Sequence, residues 1–108
     1  MGLLNHLQSH REVLIHMERY DQIEKHRPKG KLKALAFCRN VTHARMMCEA
    51  LGERYKTAYL TGRNDIGERI RAYNDLQDYT KDLEILFTVD ILNEGVDIPV
   101  VNMVLKFQ

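Results

Sequence analysis

The sequence predicts an α/β domain, a parallel sheet of about four strands with flanking helices, preceded by an N-terminal helix. Two observations carry this prediction. Short apolar runs suited to buried strands alternate with segments whose apolar residues recur at helical spacing. Strands and helices of these lengths, taken in turn, imply βαβ units with right-handed crossovers and parallel strands. A chain of 108 residues suits one such domain, and at that size folding buries roughly two-thirds of the unfolded chain's surface.

Each element follows from its residues. Between residues 3 and 25, Leu3, Leu7, Leu14 and Met17 share one helical stripe flanked by Leu4 and Ile15, which predicts an amphipathic helix. His26-Arg27-Pro28-Lys29-Gly30-Lys31 breaks it, because proline disfavours helix at the residue before it and glycine permits a turn. Residues 1–30 therefore read as a helix and linker, and residues 31–108 as the α/β unit. Leu32 to Cys38 is the first predicted strand. A helix follows from Thr42, the expected N-cap, to Tyr55, burying Ala44, Met47, Cys48 and Leu51. Thr57 to Thr61 is the second strand, and Asp65 to Tyr79 the second helix of the unit, with Ile66, Ile70, Tyr73 and Leu76 facing inward. Leu83 to Thr88 and Val100 to Phe107 complete the sheet. There are no repeats and no low-complexity segments.

Composition narrows the function. Hydrophobic residues at 44% and charged residues at 29% match an ordinary soluble globular protein. No apolar run approaches the ~20 residues needed to span a bilayer, and no signal peptide is visible, so a cytoplasmic protein without membrane partners is expected. The net charge of +1 gives little long-range attraction to nucleic acid. Any phosphate contact must be local. Cys38 and Cys48 fit no metal-ligand spacing and read as reduced packing residues. A thiolate phosphate loop would need an arginine after five intervening residues, whereas six separate Cys38 from Arg45. His6 and His10 lie one helical turn apart but have no third ligand, so they read as solvated or packing histidines. Asp75, Asp78, Asp82 and Glu84 read as a solvated acidic face.

The most informative stretch is Leu86-Phe87-Thr88-Val89-Asp90-Ile91-Leu92-Asn93-Glu94-Gly95-Val96-Asp97-Ile98-Pro99, a buried strand running into a polar, glycine-containing loop. In an open parallel sheet ligands bind beyond the carboxyl ends of the strands, which puts Thr88, Asp90, Glu94 and Asp97 near one rim. The order apolar-apolar-Thr-x-Asp-x-x-x-x-Gly-x-Asp-x-Pro resembles motif V of the superfamily-2 DNA and RNA helicases, and every fixed position is present. Ala34-Leu35-Ala36-Phe37-Cys38-Arg39-Asn40 with Thr42-His43-Ala44 resembles motif IV, and Leu60-Thr61-Gly62 the strand-end motif after it. Arg69 and Tyr73 match the arginine and aromatic positions of the next helix, although an arginine so placed reads first as an internal salt bridge or a carbonyl cap. The likeness covers about residues 31 to 108. It implies a RecA-like fold of the P-loop NTPase type, the second such domain of a DEAD/DEAH-type helicase.

The resemblance assigns roles by position. Thr88 would set its hydroxyl and backbone N–H against a nucleic-acid phosphate, with Arg39, Asn40, Thr61 and Gly62 lining the same track. Gly95 would permit a tight turn, Asp97 would accept from the ATP ribose, and Glu94 would lie near the nucleotide. ATP and Mg2+ would be held mainly by the first RecA-like domain of the same parent chain, since no phosphate loop occurs here: Gly30-Lys31 is followed by Leu32. The arginine fingers of motif VI, Gln-x-x-Gly-Arg-x-x-Arg, would follow the last strand, beyond Gln108. No residue of this chain is therefore assigned as catalytic, and the chain alone is expected not to hydrolyse ATP. An uncovered sheet edge would favour self-association. Residues 89 to 99 resemble restriction-system motor subunits, which favours DNA over RNA. The alternative is a non-catalytic α/β binding or interaction module. A receiver type would need an acidic pair in Leu35-Ala36-Phe37-Cys38-Arg39, and a flavodoxin type a Ser/Thr/Gly-rich loop after it; the sequence has neither.

Overall fold

Five parallel strands form one sheet in the computed structural model, which describes residues 13–17, 22–61, 63–89 and 100–107. They are β1 (Val13–Met17), β2 (Ala34–Phe37), β3 (Thr57–Tyr59), β4 (Ile85–Thr88) and β5 (Met103–Phe107), arranged β1-β5-β2-β4-β3. The helices are α1 (Gln22–Lys25), α2 (Val41–Leu51) and α3 (Ile66–Gln77).

The near-continuous apolar runs are explained by cover on both faces of the sheet. Ala34, Ala36, Ile85, Phe87, Met103, Leu105 and Phe107 face α1 and α2, where they meet Ile23, Ala44, Met47, Cys48 and Leu51. Leu35, Phe37, Leu86 and Val104 face the other way, towards Tyr73 and Leu76 of α3. This is the period-two alternation of strand side chains, with both halves buried. The steps β1 to β2 and β2 to β3 move towards the β3 edge past α1 and α2. The step β3 to β4 moves back past α3 on the opposite face, so all three crossovers share one hand.

All four expected strands are present. The fifth is a correction: residues 13–17, expected inside an N-terminal helix, form β1, and within residues 13–30 the described helix is the single turn Gln22–Lys25. The apolar, β-branched run Val13-Leu14-Ile15 pairs in parallel with β5, from Val13 opposite Met103 to Met17 opposite Phe107. Sheet pairing thus overrides the helical spacing of the leucines. In doing so β1 takes the edge of β5 that the expectation of self-association had left open.

Two smaller corrections concern helix placement. Asn40, not Thr42, caps α2: its Oδ1 accepts the His43 N–H at 2.8 Å. At α3, Asp65 and Glu68 form a reciprocal capping box. The buried residues of α3 are Tyr73 and Leu76, with Ala72 partly buried beside them, so Ile66 and Ile70, expected inward, lie 64% and 38% exposed.

The amino-terminal rim is closed by a buried lysine. Lys33 is 1% exposed, and its Nζ donates to the carbonyls of Asp78, Lys81 and Leu83 at 3.2, 3.3 and 2.7 Å. The Lys33 backbone is held in turn by Asn102, through Lys33 N–H to Asn102 Oδ1 at 3.0 Å and Asn102 N–H to the Lys33 carbonyl at 2.9 Å.

Candidate functional site

At the opposite rim the carboxyl ends of β2, β4 and β3 lie side by side, with Phe37 level with Thr88 and Tyr59 level with Phe87. Backbone bonds extend the pairing past the strands: Cys38 N–H donates to the Thr88 carbonyl and Leu60 N–H to that of Phe87, both at 2.9 Å. α2 leaves β2 towards one face of the sheet and α3 leaves β3 towards the other, with the end of β4 between them. Four of the residues expected to meet nucleic acid, Arg39, Asn40, Thr61 and Thr88, are brought to this rim. Gly62, Glu94, Gly95 and Asp97, and Asp90 with them, lie outside the described residues.

Local bonds fix these side chains. Arg39 is exposed, with its backbone N–H donated to His43 Nδ1 at 3.1 Å. Asn40 is exposed but its Oδ1 is committed to the helix cap, so its first duty is structural. The backbone N–H and the hydroxyl of Thr61 both donate to Asn64 Oδ1, at 2.5 and 3.2 Å, and its Oγ1 accepts the Arg63 N–H at 3.1 Å. Thr88 is 1% exposed at the tip of β4. Tyr73 belongs to the core under α3.

Beside the rim lies a groove of about 430 Å³, lined by Val41, Thr42, Arg45, Tyr59, Thr61 and Arg63. Two exposed guanidinium groups and three hydroxyls in one groove suit a phosphate, which guanidinium binds in a bidentate fork. Thr42, Arg45, Tyr59 and Arg63 were not singled out as ligands from the sequence. The signal lay next to the motifs: Arg45 falls within the first turns of the helix after motif IV, and Arg63 directly follows Thr61-Gly62. The crossover from β2 to β3 brings them together.

A second cavity, of about 410 Å³, sits at the amino-terminal rim among Arg27, Lys31, Lys33, Lys56, Lys81, Asp82 and Glu84. Its charges are largely spent on the fold. Arg27 pairs with Glu24 at 3.0 Å and Glu84 at 3.7 Å, and Glu84 also accepts the Lys56 N–H at 2.9 Å. Asp78, from the acidic face, accepts the N–H and hydroxyl of Thr80 at 2.8 and 2.6 Å, which holds its carboxyl below the usual range. Glu24 is lowered too, first by the Tyr55 hydroxyl bonded to it and then by Arg27.

Thiol chemistry is disfavoured at both cysteines. Burial pushes the Cys38 thiol up to about 12 and raises Cys48 as well, keeping both protonated and inert at neutral pH. Both are buried and free, as packing residues should be. Among the described residues no three His, Cys, Asp or Glu side chains are placed to hold a metal ion. No helix among them is long and apolar enough to cross a membrane.

Over residues 15–108 the chain matches the helicase conserved C-terminal domain. It belongs to that family. The match of the helicase C-terminal domain begins at Ile15, the middle residue of β1. Membership implies a helicase-class parent and interaction with nucleic acid. No curated protein and no solved structure matches the chain.

Proposed function

We propose that this helicase C-terminal domain is the second RecA-like half of an ATP-dependent nucleic-acid motor, translocating on or unwinding DNA in preference to RNA. Its carboxyl rim grips the sugar-phosphate backbone through Arg39, Asn40, Thr61, Gly62 and Thr88, joined by Arg45 and Arg63. Glu94, Gly95 and Asp97 of motif V meet the ATP, whose phosphates and Mg2+ are held mainly by the first RecA-like domain of the parent. The role is cytoplasmic, and the chain alone is inactive as an ATPase. The observation that supports the reading best is the convergence of motif-end residues and two exposed arginines at one rim in a chain of this family. Contacts confined to the backbone leave a motor free to release and step along any sequence.

The test is fluorescence anisotropy of a labelled single-stranded 20-mer, as DNA and as RNA, titrated with the 108-residue chain across a salt series. The expected result is salt-dependent binding, stronger for DNA. The Arg45→Ala/Arg63→Ala variant should lower the log–log salt slope by about 0.7 for each single-strand phosphate it no longer neutralises. Absence of salt-dependent binding, with the fold intact by circular dichroism, would replace the motor reading with that of a non-catalytic interaction module.

A further inference from the structure

His43, the third residue of α2, holds the turn beyond β2 from two sides. Its backbone N–H donates to Asn40 Oδ1 at 2.8 Å, and its ring Nδ1 accepts the Arg39 backbone N–H at 3.1 Å. A backbone N–H donates and never accepts, so Nδ1 presents its lone pair and the neutral ring carries its proton on Nε2. The half-buried ring stands edge-on to Phe107, with centroids 6.5 Å apart at 85°. Phe107 stacks in turn on Phe87, beside Thr88, at 6.1 Å and 26°. One imidazole therefore ties the Arg39 peptide to the ends of β5 and β4.

We infer that His43 is a positioning residue for the nucleic-acid grip: by holding the Arg39 peptide it fixes where the Arg39 guanidinium meets a phosphate, and the grip loosens when the ring takes up a proton. The inference rests on the proposed role of Arg39. Protonation places an N–H where the lone pair was, so two donors face each other and a second cation appears beside Arg39. Among the described residues Arg39, on the turn, is the charged group acting on the ring, and β5 presents the apolar Phe107. Burial first, and the Arg39 charge second, hold the imidazole below its ordinary range, so the clamp is closed at neutral pH. A histidine that only added charge to the interface would tighten binding on acidification. A clamp does the reverse.

The sign is read by anisotropy with single-stranded DNA at pH 7.5 and 5.5 and fixed salt. The proteins compared are the unsubstituted chain, His43→Leu, His43→Asn, Arg39→Ala and the Arg39→Ala/His43→Leu double variant. Asparagine offers an acceptor in the place of Nδ1 and does not titrate. His43→Leu should bind about fivefold more weakly at pH 7.5, the scale of one hydrogen bond, and His43→Asn should restore the affinity. In the Arg39→Ala background His43→Leu should cost nothing further. As acidification protonates the ring, the unsubstituted chain should lose affinity relative to His43→Asn, a comparison in which the other histidines cancel. Amide exchange should show the Arg39 N–H protected in the unsubstituted chain and His43→Asn, and released in His43→Leu. Unchanged binding or unchanged Arg39 protection in His43→Leu would overturn the role of His43 alone, as would a gain on His43→Asn at pH 5.5. Failure of the unsubstituted chain to bind DNA at either pH would overturn the functional reading and this one with it.

Discussion

The Lys33 ammonium donates to the Leu83 carbonyl at 2.7 Å from a side chain that is 1% exposed, and it also serves the carbonyls of Asp78 and Lys81. Lys33→Met keeps the length and apolar stem but leaves those three carbonyls without their shared donor. The expected loss is about 2 kcal/mol or more, since orphaned buried acceptors retain their desolvation cost. Urea unfolding of the two proteins measures it, and a change under about 0.5 kcal/mol would show that water replaces the ammonium.

Asn40 caps α2 and also stands at the proposed interface, and substitutions separate the two duties. Asn40→Ala should cost about 1 kcal/mol of stability, while Asn40→Asp, which keeps the accepting oxygen, should cost little. Asp places a negative charge against phosphate, so it should keep the fold yet weaken DNA binding. Thermal unfolding beside anisotropy gives both readings.

Burial pushes Cys38 and Tyr55 each up to about 12, from ordinary values of 9.0 and 10.0; for Tyr55 the adjoining Glu24 adds to the shift. Above the ordinary values the unfolded chain sheds these protons while the folded chain keeps them. Their contribution to stability is therefore complete below about pH 9 and declines as pH rises towards 12. Urea midpoints at pH 8 and pH 10.5 should fall, and Cys38→Ala should reduce the fall. A midpoint rising with pH across that interval would contradict the assignment.

The orientation of α3 gives a contrast between two exposed positions and one buried one. Ile66→Lys and Ile70→Lys should change stability by no more than about 0.5 kcal/mol, because both side chains are exposed. Leu76→Ala, in the core against the sheet, should cost about 2–5 kcal/mol. Equal penalties in denaturant would show a helix rotated towards the stripe that the isoleucines suggest.

Gly30 adopts φ +83°, a backbone conformation that L side chains rarely take, and a Cβ there would meet nothing within 4 Å. Gly30→Ala should thus cost about 1 kcal/mol from the backbone alone. A stabilised variant in the same unfolding assay would mean that the turn relaxes.

What the sequence disclosed follows the range of the interactions involved. The strands from Leu32 onward and the inward face of α2 were legible because period and burial are written in neighbouring residues. The edge strand was not: the leucines before it carry helical spacing, and what makes Val13-Leu14-Ile15 a strand is Met103 to Leu105, near the other end of the chain. Lys33 sat unnoticed in an apolar run because its acceptors lie 45 to 50 residues away. At the site, Arg39, Asn40, Thr61 and Thr88 could be picked out because each sits at a strand end inside a local motif, while Arg45 and Arg63 came to light only through the crossover that joins them.

The strand order also bears on how the chain is made. β5 follows the other strands in sequence yet lies between β1 and β2, which come first. A nascent chain leaving the ribosome therefore carries two apolar strands with a gap between them until residues 103–107 have cleared the exit tunnel, and closure of the sheet has to wait for that moment. Translation through the segment ahead of Met103 is thus the interval in which a holdase would do the most good.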